Sequence, residues 1–138
     1  MSMRIENKVC VVTGGANGIG EALARRFHAE KARAVVVADL DGARAEKVAA
    51  EIGGVAMRVD VGREEEMQKL VKETTDRFGQ IDLFCSNAGI FIEADVFTSN
   101  DMFAKMRDIH VMAHLYAARA LSGVAILPAT MPLSVAAC

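Results

Sequence analysis

The sequence has no surplus of basic residues. Its 138 residues include 16 Lys and Arg against 18 Asp and Glu, which gives a formal net charge of −2 at pH 7. Proteins that bind nucleic acid need clustered positive charge, because much of their affinity comes from displacing counterions from phosphates. We therefore expect no nucleic-acid partner. With 52% hydrophobic and 25% charged residues, the composition is typical of a soluble globular domain.

Cysteine and histidine are scarce. The three cysteines, Cys10, Cys85 and Cys138, cannot all pair, and the first two lie in apolar runs where a thiol behaves as a small hydrophobic side chain. The sequence has no Cys-x-x-Cys pair, and only His110 and His114 stand at a helical spacing that suits a metal. We predict no metal site and a reducing, cytoplasmic location.

Targeting and membrane segments are also missing. Residues 1–8 carry three charges and no apolar stretch, so no signal peptide is expected. Residues 120–138 contain no charge at all, and 19 uncharged residues approach the length of a membrane anchor. Two prolines, a glycine and several hydroxyl side chains within that run weaken this interpretation, so we predict no membrane partner.

What the sequence does contain is a regular alternation of apolar runs and amphipathic stretches. The runs predict strands at 8–12, 34–38, 55–59 and 81–86, and the stretches predict helices from residue 19, at 43–52, 64–78 and 101–121. Strands separated by such helices form βαβ units with a parallel sheet. We therefore predict an α/β fold, a Rossmann-type doubly wound sheet that stops after about four strands and four helices.

A glycine-rich loop joins the first predicted strand to the first helix, with the sequence Thr13-Gly14-Gly15-Ala16-Asn17-Gly18-Ile19-Gly20. Glycines permit a tight turn and bring backbone amides close to a pyrophosphate, and the helix N-terminus adds a positive field. Alone, such a loop also fits a purely structural turn. The candidate cofactor-binding residues in it are Gly14, Asn17, Gly18, Ile19 and Gly20.

Asp39 ends the predicted second strand and is followed by Leu40. A carboxylate here suits the ribose hydroxyls of NAD and repels the 2′-phosphate of NADP. NADP needs a nearby cation, and only Arg44 lies a little further along, so NAD is the preferred cofactor. The alternative is that Asp39 only opens a turn with Asp41 and Gly42.

Four motifs in order resemble the short-chain dehydrogenase/reductase family over roughly residues 6–120. They are Thr13-Gly14-x-x-x-Gly18-Ile19-Gly20, Asp39, Asp60-Val61 and Asn87-Ala88-Gly89, and residues 78–82 are similar too. The resemblance implies that Asp60 and Val61 contact adenine, that Asn87, Ala88 and Gly89 line the cofactor cleft, and that hydride passes between NAD and an alcohol or carbonyl substrate. Otherwise Asp60 only caps a helix and residues 87–89 only stabilise a turn.

The sequence departs from this family where catalysis is concerned. The family uses a serine, a tyrosine and a lysine four residues after the tyrosine, helped by an asparagine. The single tyrosine, Tyr116, has Ala120 where the lysine belongs, so we predict that it packs in a helix. His110 stands at the asparagine position; it can hydrogen-bond or pack, and we favour packing. No catalytic residue is predicted, and the chain as given is expected to be inactive.

The resemblance ends before the last residues. We predict an NAD-binding half-domain over 1–121 and an apolar tail over 122–138, as a truncated or altered reading frame produces. Such a sheet should leave an unpaired edge beside the fourth strand, unless residues 124–127 form a replacement strand, and should favour homo-oligomers or other self-association.

Three functions remain open at this point. One is an NAD-dependent oxidoreductase, and another is a non-catalytic nucleotide-binding or interaction module. The third, a methyltransferase on a similar sheet, is disfavoured by the glycine spacing and by residues 87–89.

Overall fold

Five strands and four helical stretches make up the computed structural model, which describes residues 3–124 and 134–137. The strands are β1 (Val9–Thr13), β2 (Ala34–Asp39), β3 (Val55–Arg58), β4 (Leu83–Ser86) and β5 (Ser134–Ala137). The helices are α1 (Gly18–Ala29), α2 (Gly42–Ile52), α3 (Glu64–Phe78), α4 (Asn100–Arg107) and α5 (Ala113–Val124). A π-helical segment, Asp108–Met112, joins α4 to α5 without a break.

The strands form one parallel sheet in the order β3-β2-β1-β4-β5. The predicted Rossmann-type sheet is confirmed, and each predicted strand and helix is present. The chain order reverses beside β1, because the chain first moves outward to β2 and β3 and then returns to β4. In open parallel sheets, such a reversal creates a crevice at the carboxyl ends of the strands.

β5 corrects the expectation of an unpaired edge beside the fourth strand. It pairs with β4 from Leu83 opposite Ser134 to Ser86 opposite Ala137. The backbone of a short uncharged segment can form the hydrogen bonds that a neighbouring buried strand needs. Such a segment carries no helical or strand periodicity that would reveal it in the sequence. The replacement strand was expected at residues 124–127. Residue 124 is instead the last residue of α5, and residues 125–127 lie outside the described part of the chain.

β1 is buried along its whole length and separates two cores. Val9 and Val11 face the core under α3 and α5, whereas Cys10 and Val12 face the core under α1 and α2. Burial of a valine contributes about 1.5–3 kcal/mol, so β1 anchors both layers. Burial also raises the pKa of the Cys10 thiol to about 12, which keeps it protonated and unreactive.

Side chains at helix ends fix where α2 and α4 begin. The Asp41 carboxylate accepts a hydrogen bond from the Arg44 amide at 3.1 Å, and the Ser99 hydroxyl accepts one from the Met102 amide at 3.3 Å. Both satisfy amides that lack a partner within their own helix. In the part of the chain that the structure describes, none of the helices has the length and apolar character needed to cross a membrane.

Candidate functional site

The glycine loop turns the chain from the end of β1 into α1 through direct backbone packing. Gly14 adopts a left-handed φ of 66°. A Cβ atom placed on Gly20 would lie 2.0 Å from the Gly14 carbonyl oxygen and 2.6 Å from Nδ2 of Asn87. No side chain fits at that distance, so glycine at position 20 is what lets the first turn of α1 approach the loop.

Thr13 connects this loop to the residues that follow β4. Thr13 is 1% exposed. Its Oγ1 accepts hydrogen bonds from the amides of Asn87 at 3.0 Å and Ala88 at 3.3 Å. The same hydroxyl donates to the Cys85 carbonyl at 3.3 Å, and Asn87 Nδ2 donates to the Thr13 carbonyl at 3.2 Å. Two motifs that lie more than 70 residues apart in the sequence are therefore locked together at the sheet's carboxyl edge.

Asp39 lies at the end of β2 and braces the same loop from the other side. One carboxylate oxygen accepts from the Ala16 amide at 3.0 Å, and the other accepts from the Asp41 amide at 3.0 Å. The predicted turn with Asp41 is thus present, and the carboxylate also faces the loop. Leu40, next in the chain, leaves 54% of its surface exposed beside it.

Asp60 follows β3 and has a similar local role. Its carboxylate accepts from the Gly62 amide at 3.0 Å, while its own amide donates to the Glu66 carboxylate at 2.7 Å. These bonds hold the turn that leads into α3, whose N-cap residue is Arg63. Asp60 therefore shapes the approach to the helix without being its cap, and the neighbouring Val61 is buried in the core.

These features border one cleft of about 640 Å³ at the carboxyl edge of the sheet. Ten of the twelve predicted binding residues line it: Gly14, Asn17, Ile19, Asp39, Leu40, Asp60, Val61, Asn87, Ala88 and Gly89. The other two, Gly18 and Gly20, form the start of α1 behind the loop. The sequence did not point to four further lining residues: Asp41, Val59, Ile90 and Ile109.

Ile109 and His110 reach the cleft region through the π-helical segment. His110 Nε2 lies 2.8 Å from the Ile90 carbonyl oxygen, and a Cβ on Gly89 would lie 3.1 Å from the histidine ring. The prediction that His110 simply packs is wrong, because His110 is exposed and its ring hydrogen-bonds the Ile90 carbonyl. An imidazole N–H can donate to such a carbonyl oxygen.

His114, one turn further along, has a different partner. Its Nδ1 lies 2.7 Å from Oγ of Ser86, a buried residue at the end of β4. The two histidines thus hold successive points of the same stretch and do not converge on one ion. Across residues 3–124 and 134–137, no group of three or more His, Cys, Asp or Glu side chains is arranged to hold a metal.

Tyr116 lies in α5, half-buried against the core that α3 and α5 enclose. That position agrees with the predicted packing role. The next turn of α5 carries Arg119, which forms an ion pair with Glu64 of α3 at 3.3 Å. Neither side chain borders the cleft, so this part of the helix contributes to packing.

Comparisons with known proteins agree with this geometry. The model of the short chain dehydrogenase family matches residues 8–125. A meso-2,3-butanediol dehydrogenase of Serratia marcescens is 38% identical over 113 residues, which are 79% of this chain and 45% of that protein. A galactitol 2-dehydrogenase of Agrobacterium fabrum is 37% identical over 127 residues, 90% of this chain and 49% of that protein. The chain spans about half the length of these relatives.

Solved structures show the same fold. A 3-ketoacyl-(acyl-carrier-protein) reductase from Brucella melitensis, complexed with NADH, superposes with a TM-score of 0.77 at 33% identity over 85% of this chain and 50% of that chain. A short chain dehydrogenase/reductase from Burkholderia phymatum, in complex with NAD, gives a TM-score of 0.84 at 22% identity over 89% and 46% of the two chains.

Proposed function

Because the chain belongs to the short-chain dehydrogenase/reductase family, we propose that its cleft binds NAD for hydride transfer with an alcohol or carbonyl substrate. The observation that carries the proposal is the close packing of the glycine loop on the residues that follow β4. There the Gly14 backbone packs so closely on Ala88 that a Cβ would come within 2.8 Å of the Ala88 Cα. Membership of this family sets aside a methyltransferase.

The residues present fit a dinucleotide. The cleft, of about 640 Å³, lies within the usual range for small-molecule sites. The amides at the start of α1 would hold the pyrophosphate, where the helix field favours an anion. Asp39 would accept hydrogen bonds from the adenosine ribose. Asp60 and Val61 would border the adenine, and residues 87–89 would border the nicotinamide half.

The preference for NAD over NADP rests on Asp39. Its carboxylate is fixed by two backbone amides at 3.0 Å each, so it cannot turn away from a ligand without losing both bonds. A 2′-phosphate placed there meets a second acid as well, because Asp41 also lines the cleft. With Asp60 nearby, the adenosine end of the cleft therefore carries three negative groups, which favours the cofactor without that phosphate.

When bound, NAD supplies the hydride acceptor or donor, and the protein must supply a proton donor or acceptor beside the substrate. Tyr116, the one tyrosine of the chain, packs between helices, and Ala120 stands four residues later. This observation favours a second candidate function, a nucleotide-binding or interaction module without catalysis. The alcohol or carbonyl substrate is proposed from family membership alone.

Two further features support proposals about location and assembly. Cys10 is a free thiol, the form that cysteine keeps in a reducing compartment such as the cytoplasm. Exposed apolar side chains, including Phe91 and Phe97, suit association with another copy or another protein. Both are proposals that support the same picture of a cofactor-binding unit.

Binding is tested by thermal unfolding of the purified chain with millimolar NAD or NADP. A ligand that binds only the folded state adds about 2.7 kcal/mol of stability at one hundred times its Kd. We expect NAD to raise the midpoint and NADP to leave it nearly unchanged. A cooperative transition that neither nucleotide shifts would contradict the proposal.

The variant Asp39→Ser tests the selectivity, with Asp41→Ser as its matched control. Serine at position 41 keeps a hydroxyl that caps α2 and removes the same charge. We expect Asp39→Ser to lower NAD affinity about tenfold, the loss of one charge-assisted hydrogen bond, and to narrow the gap between NAD and NADP. Equal effects of the two variants would assign the selectivity to total charge instead of to Asp39.

A further inference from the structure

Asn17 and Gly18 form a dipeptide at the start of α1 whose surroundings are unusually open. Asn17 is exposed, has an extended backbone with φ −157° and ψ 170°, and makes no side-chain hydrogen bond to the helix it precedes. Gly18 has a left-handed φ of 55°, and nothing lies within 4 Å of the place where a Cβ would stand. The side-chain amide of Asn17 is therefore exposed and unbonded, and the residue that follows it has no side chain to hinder attack by its nitrogen.

We propose that Asn17 is a deamidation site that lowers the chain's affinity for NAD as the protein ages. The proposal rests on the proposed function, because its consequence requires a pyrophosphate at this loop. In the first step, the Gly18 nitrogen bonds to Cγ of Asn17. The Cγ–Nδ2 bond then breaks, and ammonia leaves with the proton of the Gly18 amide, which produces a succinimide.

Water completes the conversion. It adds to either carbonyl of the ring and breaks one carbonyl–nitrogen bond, which yields aspartate or isoaspartate at position 17. The ring closes only after rotation about the Cα–C bond of Asn17. Because the Asn17 carbonyl accepts a hydrogen bond from the Glu21 amide at 3.1 Å, that rotation opens the first turn of α1. Gly18, which has no side chain, offers little steric resistance to it.

The other asparagines of the chain lack these conditions. Asn7, Asn87 and Asn100 are followed by Lys, Ala and Asp, whose side chains hinder attack by the following nitrogen. Asn87 is held in addition by the hydrogen bond from its Nδ2 to the Thr13 carbonyl. They are therefore internal controls for the reactivity of Asn17.

The aspartate product changes charge without changing the backbone, whereas the isoaspartate product adds a methylene group to the backbone at the start of α1. Aspartate is as good an N-cap residue as asparagine, and a negative charge is favourable at a helix N-terminus. The same charge occupies the field that would otherwise attract the pyrophosphate. The aspartate product should therefore separate two properties, leaving thermal stability intact while weakening NAD binding about tenfold.

The reaction is measured by peptide mass spectrometry after incubation of the intact chain at mildly alkaline pH, with and without saturating NAD. We expect a gain of about 1 Da at Asn17 well before the other three asparagines, and slower conversion with NAD bound. Conversion of all four at one rate, or none at Asn17, overturns the proposal. Conversion that NAD fails to slow leaves the deamidation site standing and contradicts NAD binding at this loop.

The consequence for affinity is measured with Asn17→Asp, which encodes the aspartate product, and Asn17→Ser, which replaces the amide with an uncharged N-cap residue type. We expect NAD binding about tenfold weaker in Asn17→Asp than in the parent, with Asn17→Ser between them, and no loss of unfolding midpoint in Asn17→Asp without ligand. If Asn17→Asp binds NAD as tightly as the parent, the proposed loss of affinity is wrong.

Discussion

Two sides of the cleft differ in how their structure is fixed. On one side, the glycine-loop junction (Thr13, Gly14, Gly20, Asn87 and Ala88) is held by hydrogen bonds of 3.0–3.3 Å and by backbone contacts too close for any added side chain. On the other side, the exposed segment (residues 90–99) leaves Phe91, Val96 and Phe97 at 95%, 89% and 90% exposure.

The exposed segment is ordered mainly by its own turn. Asp95 accepts hydrogen bonds from the amide of Phe97 at 2.9 Å and from the Thr98 hydroxyl at 3.4 Å, and the Asp95 amide donates to that hydroxyl at 2.9 Å. Residues two or three apart can make such bonds without a folded core. The junction instead unites β1, α1 and the end of β4, so changes there should affect both folding and binding.

Of the changes at the two sides of the cleft, the one at Gly20 is expected to have the largest effect. Gly20→Ala places a methyl group 2.0 Å from the Gly14 oxygen, and backbone has to move to relieve the clash. We expect a loss of about 2–4 kcal/mol in the free energy of unfolding, together with loss of NAD binding, measured by urea unfolding and calorimetry.

Gly123→Ala is the matched control, since this glycine lies in α5 with nothing within 4 Å of an added Cβ. Alanine has the higher helix propensity, so the control should gain about 0.5–1 kcal/mol. Equal losses in both variants would mean that the short distances at Gly20 do not govern stability.

A smaller effect is expected at Thr13. Thr13→Val keeps the shape and removes the oxygen that accepts from two backbone amides, of Asn87 and Ala88. Amides without partners cost about 1–3 kcal/mol each when buried, and these two are partly buried. We therefore expect a loss of about 2 kcal/mol and weaker NAD binding in the same two assays.

Thr74→Val serves as its control, because Thr74 is equally buried and its hydroxyl donates only to the Leu70 carbonyl within α3. That carbonyl is in the interior of a helix and has a backbone donor of its own. The control should lose less than about 1 kcal/mol and leave NAD binding unchanged. A control as damaging as Thr13→Val would show that burial of a hydroxyl, and not the junction, sets the loss.

Much of the fold was accessible to sequence reasoning because its signals are local. The α3 boundaries were predicted at 64–78, as found, from periodic apolar residues and three acidic residues in its first turn. β1 was predicted one residue early, since Lys8 precedes the strand and Thr13 belongs to it. A threonine next to glycines is typical of a loop. That its hydroxyl is buried depends on the neighbouring strands of the sheet, which a local pattern does not show.

The features that sequence reasoning missed depend on distant partners. Periodicity predicts one α-helix over 101–121, but residues 108–112 form a π-helical turn within it. His110 lies in that turn and hydrogen-bonds the Ile90 carbonyl. A single wider turn barely changes the spacing of apolar residues, so no pattern signals it. β5 was missed because its pairing with β4 joins residues more than 50 positions apart in the sequence, such as Leu83 and Ser134.

The smallest effect is expected in the exposed segment. Phe97 is 90% exposed, so Phe97→Ser removes almost no buried apolar area, and the free energy of unfolding should change by less than about 0.5 kcal/mol. Phe84, fully buried in β4, is the matched comparison, and Phe84→Ala should lose about 3–5 kcal/mol. Urea unfolding at low protein concentration measures both changes for the single chain.

Concentration then decides what the exposed phenylalanines do. An apolar ring kept in water lowers solubility and favours association, so Phe97→Ser should shift sedimentation toward smaller species if the exposed segment makes contacts between molecules. A stability loss for Phe97→Ser that grows with protein concentration would show that another molecule covers the ring, because association stabilises the folded state by mass action. A loss independent of concentration would instead mean that the ring packs within its own chain, and the contrast with the glycine-loop junction would then fail.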